Sequence, residues 1–117
     1  MNLRELTQRA MEIRQRYAAL ELAKYGRAWT EEEIALGFVG DVGDLMKLIM
    51  AHNGIRAIPN AEEKLSHELA DCLWAILVLA EMGNVDLEQA FLHTMDELAR
   101  HILDQHQSLQ KNDEEQP

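Results

Sequence analysis

Residues 61–82 read AEEKLSHELADCLWAILVLAEM, and this stretch decides how the rest of the chain is read. Pro59-Asn60 stands before it and Gly83-Asn84 after it, so chain breakers bound it on both sides. Its apolar residues recur at helical spacing with no strand-like alternation, and a helix is expected across it. From Cys72 to Ala80 the sequence is apolar on every side of such a helix, including Trp74, Ile76, Leu77, Val78 and Leu79. A helix in a four-helix bundle keeps an outer face, so a helix apolar all round needs further cover. A second copy of the chain is the simpler cover; the alternative is a monomer that exposes or tightly wraps the patch. A homo-oligomer, dimer or tetramer, is therefore expected, with this third helix near the subunit interface.

Working outward, three helix starts show an N-cap oxygen followed three residues later by Glu or Gln: Thr30/Glu33, Asn60/Glu63 and Asp86/Gln89. The second helix is expected over about Glu31 to His52, ending at Asn53-Gly54, and the fourth over about Leu87 to Gln107. The first is expected over about Leu3 to Tyr25, with Leu3, Leu6, Ala10, Ile13, Tyr17 and Leu20 as its apolar stripe and Gly26 as its terminator. Short connections favour antiparallel neighbours, so the expected fold class is all-α, a four-helix bundle. One domain is expected over residues 1–110, with residues 111–117 as a disordered acidic tail.

The chain has 117 residues and a formal net charge of −10. That charge argues against a nucleic-acid partner held by bulk electrostatics, though a divalent cation can bridge an acidic protein to a polyphosphate. The longest apolar run falls well short of the ~20 residues a membrane helix needs, so no membrane partner is expected. No positively charged N-terminus leads into an apolar stretch, so no leader peptide is expected. The single cysteine, Cys72, forms no intrachain disulfide; a reduced, cytoplasmic protein is the expectation.

The second helix contains Gly40-Asp41-Val42-Gly43-Asp44-Leu45 and the third His67-Glu68-Leu69-Ala70-Asp71. Each is a carboxylate pair at i, i+3, one turn apart on one helix face. Val42, Leu45 and Ile49 flank the first pair; Leu65, Leu69 and Leu73 flank the second. Four carboxylates gathered in a bundle interior repel one another and lose hydration, which a folded protein tolerates mainly when a cation neutralises them. All-oxygen ligation suits Mg²⁺ or Mn²⁺. The competing reading makes them solvated charges at helix edges or partners of Lys47 and Lys64. Gly40 and Gly43 each cost about 1 kcal/mol in a helix interior, and close approach of another backbone or a ligand is a reason for them.

Gly40-Asp-Val-Gly-Asp-Leu followed by Glu68-Leu-Ala-Asp71 resembles the double acidic motif of MazG-like nucleoside triphosphate pyrophosphohydrolases, E-x-x-E on one helix and E-x-x-D on the next. The resemblance runs from about Trp29 to Ala99 and includes Val85-Asp-Leu-Glu-Gln-Ala90. It implies an all-α oligomer that hydrolyses a nucleoside or deoxynucleoside triphosphate to the monophosphate and pyrophosphate. Asp41, Asp44, Glu68 and Asp71 would hold Mg²⁺, with Mn²⁺ as a substitute, and one of them would serve as base for the attacking water. Glu33 is a further candidate ligand or base, which its capping role already explains.

The sequence departs from that pattern in two places. Asp41 and Asp44 stand where Glu is commoner, so each carboxylate reaches one methylene less far. The last helix reads Phe91-Leu-His-Thr-Met-Asp-Glu-Leu98, without the Lys and Asn with which many relatives contact substrate. Lys47, one turn beyond Asp44, and Arg56 and Lys64, flanking the break between helices, are the candidate cationic contacts for phosphate, or else surface or salt-bridging residues. Trp29 is a candidate stacking surface for a base, or else a hydrophobic staple at the start of the second helix. No GxxxxGK phosphate loop, zinc-protease H-E-x-x-H or paired Glu-x-x-His motif occurs. The departures motivate an alternative function: a non-catalytic metal- and nucleotide-binding regulatory helical dimer.

Overall fold

A computed structural model describes residues 1–115 of the protein. It contains four helices in order: α1 (Leu3–Tyr25), α2 (Glu31–His52), α3 (Ala61–Met82) and α4 (Leu87–Glu115), with no strand among the described residues. The all-α class expected from the sequence is therefore the observed one. Met1–Val85 forms one compact unit in which α3 packs against both α1 and α2; Asp86 onward forms a second, built on α4.

The helix ends follow local chemistry. Thr30 and Glu33 form the full capping box at α2: the Thr30 side chain accepts from the Glu33 N–H, and the Glu33 carboxylate accepts from the Thr30 N–H. Asp86 caps α4 by accepting from the Gln89 N–H at 3.1 Å. Gly26, at φ 78°, closes α1 in the left-handed region that a side chain resists, its N–H donating to the Leu22 carbonyl.

Two terminal features differ from expectation. Asn60 adopts φ 57°, also left-handed, and its side chain makes no cap hydrogen bond; a side-chain cap needs extended backbone at that position. The capping box read at Asn60/Glu63 is thus absent. Helix α4 runs to Glu115 rather than to Gln107, because Gln, Leu, Lys and Glu favour helix there and no Gly or Pro intervenes before Pro117. Residues 111–115 of the expected tail are helical; Gln116 and Pro117 lie outside the described residues.

Helix α1 is rotated from the expected stripe. Its covered residues are Leu3, Thr7, Ala10, Met11, Ile13, Arg14, Ala18 and Glu21, so Leu3, Ala10 and Ile13 of the stripe face inward, whereas Leu6, Tyr17 and Leu20 are exposed. A buried ion pair explains the rotation. Arg14 and Glu21 are only 7% and 9% exposed and meet at 3.2 Å. Glu21 also accepts from the Trp29 N–H at 2.7 Å, and Arg14 donates to the Trp29 carbonyl at 2.6 Å. The pair thus clamps the chain just before α2. On the α3 side, the Trp74 indole N–H donates to the Ala10 carbonyl at 3.0 Å, and the Trp74 ring meets Tyr17 edge to face.

The core of this unit comprises Ala10, Ile34, Leu48, Cys72, Ala75, Leu77 and Val78, with Val78 fully enclosed. The apolar run of α3 is covered on part of its circumference: Leu69, Leu73 and Ile76 remain exposed. No described helix is long and apolar enough to cross a membrane.

Candidate functional site

Helix periodicity places two carboxylates on faces that are otherwise apolar. The inward row of α2 runs Ile34, Phe38, Asp41, Leu45 and Leu48; that of α3 runs Leu65, Glu68, Cys72, Ala75 and Leu79. Asp41 and Glu68 interrupt these rows where α2 and α3 pack, and Asp44 stands one turn beyond Asp41 at the exposed margin. One carboxylate oxygen from each of Asp41, Asp44 and Glu68 lies within 4.8 Å of the other two. The shorter reach of aspartate does not prevent convergence, because the helices are closely packed here.

The electrostatics of this cluster are unbalanced. Glu68 Oε1 is shut off from solvent and has no hydrogen-bond partner. Burial pushes the Glu68 carboxyl above its ordinary value, a hydrogen bond from its protonated form to Asp41 adds to that, and the charges of Asp41, Asp71 and Asp44 push the same way. Cys72, next on the chain after Asp71, is a buried free thiol raised chiefly by burial and then by Asp41, Glu68 and Asp71. An all-oxygen donor set with an orphaned, solvent-excluded oxygen fits a hard divalent cation: the ion would supply the missing partner and relieve the repulsion.

The fourth carboxylate of the motif is placed differently. Asp71 is outside the converging set and pairs with His67 Nε2 at 3.2 Å, one turn back on α3. It remains close enough for its charge to act on Glu68. Glu33 belongs to the α2 cap and to an ion pair with Arg27, which together hold its carboxyl down at about 2, the Arg27 hydrogen bond being the largest cause.

A pocket of about 480 Å³ opens beside the cluster in the same unit. Asp44, Glu63 and Glu68 line it with carboxylates and His67 with an imidazole, Leu48 and Ile58 contribute apolar surface, and Lys47 and Lys64 line it from α2 and α3. The two lysines singled out in the sequence thus share one cavity with two of the motif carboxylates. Lys47 makes only a loose 3.9 Å contact with Asp44. At the other end of α2, the Trp29 indole lies against Gly37, where a Cβ would come within 3.8 Å of Cζ3. Trp29 is 43% exposed and outside the pocket. A Cβ at Gly40 or Gly43 would meet nothing within 4 Å, so no backbone of the described chain requires these glycines.

Sequence reading missed the Arg14–Glu21 clamp, the His67–Asp71 pair and the place of Ile58 in the pocket. The clamp had a signal: Arg14 and Glu21 stand two turns apart beside an apolar stripe, as a paired buried charge would.

The site thus joins converging carboxylates of α2 and α3 to a pocket lined by both lysines and carboxylates, in an all-α chain. The MazG nucleotide pyrophosphohydrolase domain matches residues 29–105, and the chain belongs to that family. Searches of curated proteins and of solved structures returned no match.

Proposed function

We propose that the protein is a Mg²⁺-dependent hydrolase that converts a nucleoside or deoxynucleoside triphosphate to the monophosphate and pyrophosphate, with Mn²⁺ able to replace Mg²⁺. The observation that carries this reading is the convergence of Asp41, Asp44 and Glu68 within 4.8 Å around an unpartnered oxygen. Family membership supports nucleotide pyrophosphohydrolase chemistry.

In this reading Asp41, Asp44 and Glu68 hold the cation, with Asp71 as a further ligand once it turns from His67. When bound, Mg²⁺ neutralises the triphosphate and acidifies a water molecule. The remaining work falls to the chain. Lys47 and Lys64 attract phosphate oxygens, and the α2/α3 packing fixes the carboxylates before substrate arrives. The carboxylate least engaged with metal takes the water's proton as the P–O–P bridge breaks. The water oxygen ends on one phosphate product and the bridging oxygen on the other. Trp29 offers an exposed ring for a base.

Exposed Leu69, Leu73 and Ile76 on α3, with Leu6, Tyr17 and Leu20 on α1, support a homo-oligomer that covers α3. The homo-oligomer is dimeric or tetrameric, and light scattering at micromolar concentration reads its mass directly. A reduced, cytoplasmic setting goes with the buried free thiol of Cys72 and with such substrates.

Pyrophosphate release from a panel of nucleoside and deoxynucleoside triphosphates, with Mg²⁺ or Mn²⁺, tests the activity. Metal-dependent release by the wild type and its loss in Glu68→Gln are expected. The absence of Lys and Asn from 91–98 favours a second reading, a non-catalytic metal- and nucleotide-binding regulatory dimer. Metal binding without turnover of any nucleotide would select it.

A further inference from the structure

The acidic cluster divides α2 into two chemically different ends. Gly37, Asp41, Asp44 and Lys47 follow one another at helical steps along one margin of the helix. At 1.5 Å per residue, Gly37 and Lys47 are separated by about 15 Å along the axis. Beyond Asp44 lies the pocket, lined by Lys47 on α2, Lys64 on α3 and the carboxylates of Asp44, Glu63 and Glu68. Before Asp41 lies the Trp29 indole, seated on Gly37 and fixed through its backbone by the buried Arg14–Glu21 pair.

We propose that this arrangement sets the direction of the substrate: the pyrophosphate end lies in the Lys47/Lys64 pocket and the nucleoside end points along α2 toward Trp29. The proposal deepens the hydrolase reading and rests on it for the identity of the substrate. The charge argument is direct. A pyrophosphate end carries more negative charge than the monophosphate end of the scissile bridge and needs cations besides the metal. Two ammonium groups facing one cavity next to the metal carboxylates supply them. The Trp29 ring, 43% exposed, suits a base and not a phosphate. The pocket walls are mixed in sign, because Asp44, Glu63 and Glu68 line them together with the two lysines. They therefore favour an anion that brings its own divalent cation over a bare one. The lysines belong to α2 and α3, so phosphate recognition here does not require basic residues on the last helix, where the sequence lacks them.

Calorimetric titration separates the two ends without relying on turnover. Magnesium pyrophosphate and magnesium nucleoside monophosphate are titrated separately into wild type, Lys47→Met, Lys64→Met and Trp29→Ala. Each lysine variant is expected to weaken magnesium pyrophosphate about tenfold or more and to leave the monophosphate unchanged; Trp29→Ala is expected to do the reverse. Lysine variants that weaken the monophosphate selectively, weaken both products alike, or change neither overturn the proposal. So does a wild type that binds no magnesium pyrophosphate. Unchanged far-ultraviolet circular dichroism and melting temperature show that a variant is folded, and Lys64→Arg, which keeps the charge, is expected to retain most of the affinity. A wild type that binds magnesium pyrophosphate through the lysines yet cleaves no nucleotide leaves the seat standing and refutes the hydrolase reading alone.

Discussion

Glu21 and Glu68 are both carboxylates on inward helix faces, and the protein treats them in opposite ways. Glu21 faces Arg14 at 3.2 Å and accepts the Trp29 N–H at 2.7 Å, so the chain itself satisfies it. Glu68 has an enclosed oxygen with no partner, and Asp41, Asp44 and Asp71 all raise the cost of its charge. A buried carboxylate completed by the protein joins elements together; one left incomplete, among others of its kind, carries a cost that a bound cation would relieve. The contrast yields opposite expectations for the same substitution chemistry. Glu68→Gln is expected to lower metal-dependent pyrophosphate release by a factor on the order of 10³, about 4 kcal/mol of barrier, while leaving the metal-free fold as stable or more so. Equal melting temperature with lost turnover sharpens the contrast. A Glu68→Gln variant that turns over normally breaks it.

Glu21→Ala is expected to act on stability instead. Removing one partner of a buried pair leaves Arg14 charged and the Trp29 N–H unpaired, at a cost of about 3 kcal/mol. For a chain of this size that lowers the melting temperature by roughly 10 °C. Metal affinity, read by calorimetry below the melting point, is expected to remain close to wild type. Loss of metal binding in Glu21→Ala at temperatures where it is folded would show that the two regions are not separable.

Magnesium supplies the third comparison. At a free concentration one hundred times its Kd, an ion that binds only the folded chain adds about 2.7 kcal/mol by linkage. That increment is expected in wild type and Glu21→Gln and to be absent from Asp44→Asn and Glu68→Gln. A Mg²⁺ increment that survives both neutral substitutions would place the ion elsewhere.

Much of this contrast is legible in the sequence, but unevenly. Glycine at position 26 and Thr30 with Glu33 act within a turn of chain, so local rules describe them, and the helix spans follow. Asn60 shows the limit: the residue types of a capping box are present, but the backbone after Pro59 turns left-handed and removes the geometry. The rotation of α1 depends on Trp29 finding Arg14 and Glu21, contacts that apolar periodicity does not register. Four candidate carboxylates can be named from their spacing because it puts each pair on one helix face. Which three converge depends on side-chain choice: Asp71 takes His67 as its partner, an alternative that i, i+4 spacing permits and does not require.

Acid titration provides a smaller and more diagnostic difference. In metal-free protein the folded Glu68 carboxyl has a value raised above 4.5, so between 4.5 and that raised value the folded chain holds a proton the unfolded chain has lost. Stability from this group is fully present below 4.5 and is lost as pH rises through the raised value. Glu33 behaves oppositely: with its folded value lowered to about 2, its contribution is present above 4.5 and lost as pH falls toward about 2. Thermal melts from pH 4 to 8 without metal are expected to show Glu68→Gln gaining on wild type as pH rises. A constant difference across that range would mean that Glu68 is charged throughout and already has a partner.

The smallest expected effect concerns Gly40, which lies in the middle of α2 near the cluster yet touches nothing that a methyl group would disturb. Its backbone is helical and is not among the positive-φ glycines, so alanine adopts it without strain. On the isolated fold, Gly40→Ala is therefore expected to stabilise by about 1 kcal/mol, a rise of roughly 3–5 °C in the metal-free melting temperature. A helix interior that forgoes this gain has a use for the bare backbone. If that use is contact with substrate or with a second copy of the chain, the same substitution raises KM or weakens self-association while the single chain becomes harder to melt. Stability and function then move in opposite directions at a residue with no functional group, whereas Glu21→Ala moves stability alone. A Gly40→Ala protein that is more stable, equally active and equally associated would show that the exposed strip of α2 beside the acidic cluster takes no part in recognition, and would confine the site to the side chains of Asp41, Asp44 and Glu68 and the pocket they border.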